Sequence, residues 1–241
     1  AVLQGKRTSV IKKLEKEMTA AAKKEDFEVA AVMRNQYFAL DRILSHASLI
    51  ANSEVQDAAT IEQQYKKTEK VFQKILRTKK SMRRIEAYDI SNTQGHQSTG
   101  SMVVFVNGMP AKDQYRKFKI HITGKPNDFA MMEEMLSRRL KHDEWEYPGL
   151  IIIDGGKGQL SAALKALKKS LPRRQAGKVK HIFITAIAKR NNELFLPGQQ
   201  QPLLLRNLSQ DVSNLVLHIR DEAHRFALTF HRKLRAKQLL K

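Results

Sequence analysis

The sequence predicts an α/β protein, a mixed β-sheet flanked by helices and preceded by an all-helical segment. Three observations carry this. Residues 8–80 contain neither proline nor glycine, and their apolar residues recur at helical spacing. From Arg83 the texture changes to β-rich runs, RRIEAYDI, TGSMVVFVNG and DQYRKFKIHI, separated by the turn-like SNTQGHQS and NGMPAK. Beyond them helical and strand-like segments alternate, and a meander followed by alternation is the pattern of a mixed α/β sheet.

The elements follow in order. TSVIKKLEKEMTAAAKK makes a first helix; KKED interrupts it, and Asp26 is placed to N-cap a second, FEVAAVMRNQYFALDRIL. So short a joint predicts an antiparallel hairpin. On the second helix Phe27, Ala30, Ala31 and Phe38 share an apolar stripe, with Arg34 beside it. Two helices cannot bury that stripe alone, so a partner hairpin is expected to cover it, unless it packs on this chain's next helix. That helix, roughly Glu54 to Lys80, is rich in Gln, Lys and Glu and reads as a solvated spacer. After the three β-runs come a helix (DFAMMEEMLSRRLKH), a strand (GLIIID), a helix (GQLSAALKALKKSL) and a strand (KHIFITAIA). Short strands around ELFLP and PLLLR precede a long basic helix from about Asp211. The expected division is a helical hairpin at 1–48, a helical linker at 49–80 and the α/β domain at 81–241.

Composition narrows the function. Lys and Arg number 44 against 24 Asp and Glu, a net charge of +20, which favours a polyanionic partner, most commonly nucleic acid. No 18-residue apolar run exists, so a membrane partner is not expected. There is no cysteine, which excludes disulfides, thiolate nucleophiles and cysteine-ligated metals and fits a cytoplasmic location. No signal peptide opens the chain, and a first residue of Ala is expected of a processed or shortened N-terminus. Aromatics are only 7%, too few for base stacking to dominate.

Two carboxylates stand out. RIEAYDIS delivers Asp89, and LIIIDGGKGQL delivers Asp154, to the ends of apolar strand-like runs. Ligands of α/β sheets gather where the strands' carboxyl ends converge. Two carboxylates meeting there would repel unless a cation lay between them, and Mg²⁺ suits few protein oxygens plus phosphate and water. An Asp before Gly-Gly also caps a turn without any chemistry. The GGKG segment lets backbone approach a ligand and lets Lys157 meet a phosphate, but it is not a Walker A loop, since the GxxxxGK spacing is absent. His224, in RDEAH, is flanked by Arg220 and Arg225, whose charge should keep the imidazole neutral and able to ligate a metal or handle a proton. His231 on the same helix competes with it, and the pattern does not choose. Phosphate contacts are expected from the basic last helix, including Arg232, Lys233 and Arg235, and from a stripe at Lys112, Arg116, Lys117 and Lys119. GxSxG and GxGxxG are both missing, so hydrolase-elbow and dinucleotide chemistry have no support.

These blocks taken together, RIEAYDISNTQG, LIIIDGGKGQL, AIAKR with NELFLPG, and IRDEAHRFALTFHRKLR, resemble the C-terminal endonuclease half of the UvrC family of bacterial nucleotide excision repair. EMTAAAKKEDFEVAAVMRNQYFAL similarly resembles that family's UVR motif, and the likeness spans about residues 6–241. The resemblance implies an RNase H-like fold making the incision 5′ to a lesion in damaged double-stranded DNA, with UvrB docked through the hairpin. It implies Asp89, Asp154 and His224 as a catalytic, metal-holding trio for Mg²⁺ or Mn²⁺, choosing His224 over His231, and Asp128 in PNDFAMM as a secondary acidic position. Lys157, Lys189, Arg190, Arg220 and Arg225 are the further expected DNA contacts. The family normally also carries a GIY-YIG nuclease and helix-hairpin-helix motifs; neither lies in these residues, as expected of a shortened homologue or of part of a longer chain. LLLRNLSQDVSN also lacks the prolines usual before the last helix. The rival expectations are an accessory module that binds DNA and UvrB without cutting, and an RNase H-like enzyme acting on RNA.

Overall fold

The computed structural model describes residues 2–34, 36, 37, 40, 58–91, 98–122, 127–169, 181–189 and 192–239, with side chains except at 2–9, 11, 12, 58, 59, 91 and 230–239. The chain divides into two compact units, Ala1–Asp57 and Ala58–Lys241.

In the first unit, α1 (Val2–Lys23) closes with Glu25 in the left-handed region at φ 59°. The amide of Glu25 donates to Ala22 O (3.1 Å) and that of Asp26 to Ala21 O (3.0 Å), a Schellman closure. Asp26 then caps α2 (27–34) as expected, its carboxylate accepting from the Val29 amide at 3.1 Å. Phe27 is 69% exposed, Ala30 and Ala31 are half-buried, and Arg34 is exposed. Phe38 lies outside the described residues.

The second unit opens with α3 (Ala58–Ile75), which is not the solvated spacer its composition suggests. Tyr65 and Phe72 are buried in the main core, and the Tyr65 hydroxyl donates to Met82 O. Its abundant Gln, Lys and Glu cover only the outward face, and a few apolar residues at helical spacing suffice to seat a helix.

The sheet runs β3 (Met109–Pro110), β2 (Thr99–Val106), β1 (Arg84–Ser91), β5 (Leu150–Asp154), β6 (Phe183–Ala188), β7 (Glu193–Phe195) and β8 (Leu203–Leu204), with β4 (Arg116–Lys119) also paired to β2. β1, β5 and β6 are parallel neighbours and the remaining pairs are antiparallel, the mixed sheet the segment order predicts. The central strands are buried on both faces, which is why LIIID reads as a continuous apolar run. Helices α4 (Asp128–Arg139) and α5 (Lys157–Lys169) pack on each other, and α6 (Gln210–Leu239) lies across β1, β2 and β5. Val212, Val216, Ile219, Ala223 and Ala227 form the buried stripe of α6.

The two faces of β1 have different fates. Arg84, Glu86 and Tyr88 alternate onto the face toward α4. There the fully buried Glu86 accepts from Arg84, from Arg139 of α4 (2.8 Å) and from the Tyr88 hydroxyl (2.6 Å). A buried carboxylate is tolerable only when its lone pairs are filled in this way. Ile85, Ala87 and Asp89 occupy the other face, toward α6.

Candidate metal centre

Strand pairing brings the two aspartates together. β1 and β5 run parallel with Tyr88 opposite Ile153, so the next step sets Asp89 beside Asp154 at the carboxyl ends of adjacent strands. Partners in register share a pleat, and both side chains leave the sheet on one face. The buried stripe of α6 lies over that face, and His224, one residue after buried Ala223, reaches Asp89 with Nδ1 3.4 Å from Oδ2. Asp89, Asp154 and His224 each offer a ligand atom, all within 4.8 Å of one another.

The carboxylates are nearly closed from solvent, with 7% and 5% side-chain exposure, while His224 is 45% exposed at the mouth. Burial and the neighbouring Asp154 charge push the Asp89 carboxyl above its usual range, against the lowering effect of Lys189 and His224. Asp154 Oδ2 is buried and accepts no aligned hydrogen bond, although the Lys189 ammonium stands 2.9 Å away. That is a charge contact without hydrogen-bond geometry. An orphaned anionic oxygen beside a second carboxylate and an imidazole nitrogen fits a divalent cation.

The other expected residues separate. Asp128 is exposed at the first turn of α4 and is not among the converging ligands. Lys157 is exposed at the start of α5, three residues beyond Asp154. The glycine turn is already engaged, since the Gly155 amide donates to Ile187 O and the Gly156 amide to the Gln159 side chain (both 3.0 Å). Arg220 is only 7% exposed and bonds Asp221 (2.7 Å) and Asn192 (2.6 Å), which ties α6 to the β6–β7 turn. Arg225 is exposed but holds Glu222 at 2.6 Å. The cations expected to act on His224 are thus paired elsewhere, and among the described residues Lys189 is in contact with it, 3.2 Å from Nδ1. β6 runs parallel to β5, so Lys189, just past the end of β6, emerges at the same edge of the sheet as Asp154. Arg190 lies outside the described residues; Arg232, Lys233 and Arg235 lie on α6, but their side chains are outside the described set, as is that of His231.

Residues 73–228, more than half of the chain, match the model of the UvrC RNAse H endonuclease domain. The chain belongs to the UvrC family. The RNase H-like mixed sheet flanked by helices is therefore the fold of this UvrC family member, and residues 8–43 match the UvrB/uvrC motif. Among curated relatives, UvrABC system protein C of Dictyoglomus thermophilum is 46% identical over 158 residues, 65% of this chain and 25% of its own length. That of Fusobacterium nucleatum subsp. nucleatum is 36% identical over 222 residues, 91% of this chain and 36% of its own. The chain spans about a quarter to a third of the length of the curated relatives it matches. A crystal structure of human ENDOV covers 64% of this chain with a TM-score of 0.39 and 11% identity.

Proposed function

We propose that this UvrC family chain is a metal-dependent DNA endonuclease that makes the 5′ incision at damaged DNA in nucleotide excision repair, together with UvrB and in the cytoplasm. The observation that carries this is the meeting of Asp89, Asp154 and His224 at the carboxyl edge of parallel strands, within a domain whose family model is an endonuclease. Asp89 and Asp154 hold Mg²⁺ or Mn²⁺, and His224 is a further ligand or moves a proton at Nδ1. A bound divalent ion supplies a water nucleophile and stabilises charge on the scissile phosphate. The burial of both carboxylates keeps water from competing for them, while the exposed His224 and Lys157 face the side from which a phosphate arrives. The division in this reading is a docking hairpin at 1–48 and an endonuclease at 81–241, with α3 of the intervening 49–80 packed as the endonuclease's flank. Phe27, Ala30, Ala31, Arg34 and Phe38 form the UvrB-docking face, which the exposure of Phe27 supports.

The test is incision of a lesion-bearing duplex in the presence of UvrB and Mn²⁺. Asp89→Asn and Asp154→Asn keep size and polarity but remove a ligating charge. Each should slow cutting by at least about a hundredfold while DNA affinity changes little. Cutting that survives in both variants, or that falls on RNA in preference to DNA, overturns the reading; binding by wild type without cutting favours the accessory module.

A further inference from the structure

We propose that Lys189 and the divalent ion compete for one seat: the ammonium is the resident counter-cation of the Asp89, Asp154 and His224 site, and metal binding displaces it. The inference rests on the metal-site reading above. Lys189 Nζ lies 2.9 Å from Asp154 Oδ2 and 3.2 Å from His224 Nδ1, in contact with two of the three converging residues. A divalent ion about 2.1 Å from such atoms would meet the ammonium at a separation where two cations repel strongly. The two occupancies exclude each other.

Three details suit the lysine to a seat it can leave. Its contact with Asp154 is unaligned, so the buried oxygen remains without a hydrogen bond and the hold is purely electrostatic. Its side chain is 49% exposed at the end of β6, on a flexible four-carbon stem with open solvent on one side. It also prepares the imidazole. An ammonium can only donate, so the 3.2 Å contact requires the lone pair on His224 Nδ1 to face inward, the form a metal needs. The contact of the same nitrogen with Asp89 Oδ2, at 3.4 Å, is the longer of the two. An exchangeable cation thereby shields two adjacent carboxylates, holds the ligands open, and returns a positive charge to the mouth once displaced.

Mn²⁺ binding to the whole chain, measured by titration calorimetry, tests this without reference to cutting. Lys189→Ala removes the competitor and should bind Mn²⁺ about tenfold more tightly than wild type, because the competent fraction of the site rises. Methylammonium chloride should weaken Mn²⁺ binding by Lys189→Ala beyond the effect of potassium chloride at equal ionic strength, since a small ammonium can retake the seat. Lys168→Met, which removes one positive charge from the far end of α5, should leave the affinity at the wild-type value. Equal or weaker Mn²⁺ binding by Lys189→Ala, with binding abolished in Asp154→Asn, would overturn the competition and leave the metal site standing. Equal tightening in Lys168→Met, or no methylammonium effect, overturns it as well. Mn²⁺ binding that is absent from wild type and Lys189→Ala, or indifferent to Asp154→Asn, removes the metal-site reading and this inference together.

Discussion

Asp89 and Glu86 sit three residues apart on one strand and show how differently a buried carboxylate can be treated. Glu86 is enclosed by Arg84, Arg139 and Tyr88, so its charge is matched where it lies. Asp89 is hemmed by burial and by Asp154, and its carboxyl is pushed above the usual range. A carboxyl whose pKa is raised on folding contributes stability below its unfolded value and loses it as pH rises through the folded value. At neutral pH in EDTA Asp89 is therefore a burden on the fold. Asp89→Asn should raise the melting temperature in EDTA by roughly a few degrees and abolish the further rise that Mn²⁺ gives wild type. A fall in melting temperature in EDTA would show that Asp89 is a structural tie. At this scale the sequence is partly legible. The position of Asp89 toward the end of a strand-like run announces it, whereas Arg139, which completes the enclosure of Glu86, and Asn192, which holds Arg220, come from other elements and leave no local mark.

At the scale of elements, the site depends on how α6 is seated. The buried Glu222 accepts from the Tyr115 hydroxyl at 2.9 Å and from Arg225 at 2.6 Å, joining the helix to the chain just before β4, two residues from His224. Burial opposes ionisation of Glu222, but the hydrogen bonds from Arg225 and Tyr115 outweigh it and hold the carboxyl below its usual range. A lowered carboxyl contributes stability above its unfolded pKa of about 4.3 and loses it as pH falls through the folded value. Glu222→Gln should therefore cost about 1–2 kcal/mol in urea unfolding at pH 7, with the difference narrowing on acidification below about pH 4. A cost that does not change with pH would assign the effect to packing. Helix existence and order were legible throughout, because hydrophobic periodicity is local. The seating of α3 was not: Tyr65 and Phe72 are too few to stand out among its Gln, Lys and Glu, yet both are buried.

The whole molecule joins two units of different character. Phe27 is 69% exposed on the hairpin unit, so Phe27→Ala should leave the melting of the chain within about 0.5 kcal/mol of wild type. Under the proposed docking role it should weaken UvrB binding at least several-fold by calorimetry. Unchanged affinity would remove that role. Among the described residues no helix is long and apolar enough to cross a membrane. The net charge of +20 favours contact with polyanions.

What the sequence determined by itself was local: the succession of helices and strands, the capping of α2 by Asp26, the delivery of Asp89 and Asp154 to strand ends, and the excess of positive charge. These follow from periodicity, capping chemistry and composition, all read within a few residues of chain. Only the tertiary structure decided that Asp89 stands beside Asp154, that α6 turns His224 toward them, that Lys189 enters the site and that Arg220 is buried against Asn192. Each of these depends on strand register and on which stripe of a helix meets the sheet. Pairing between residues far apart in sequence sets both, and neither leaves a pattern along the chain.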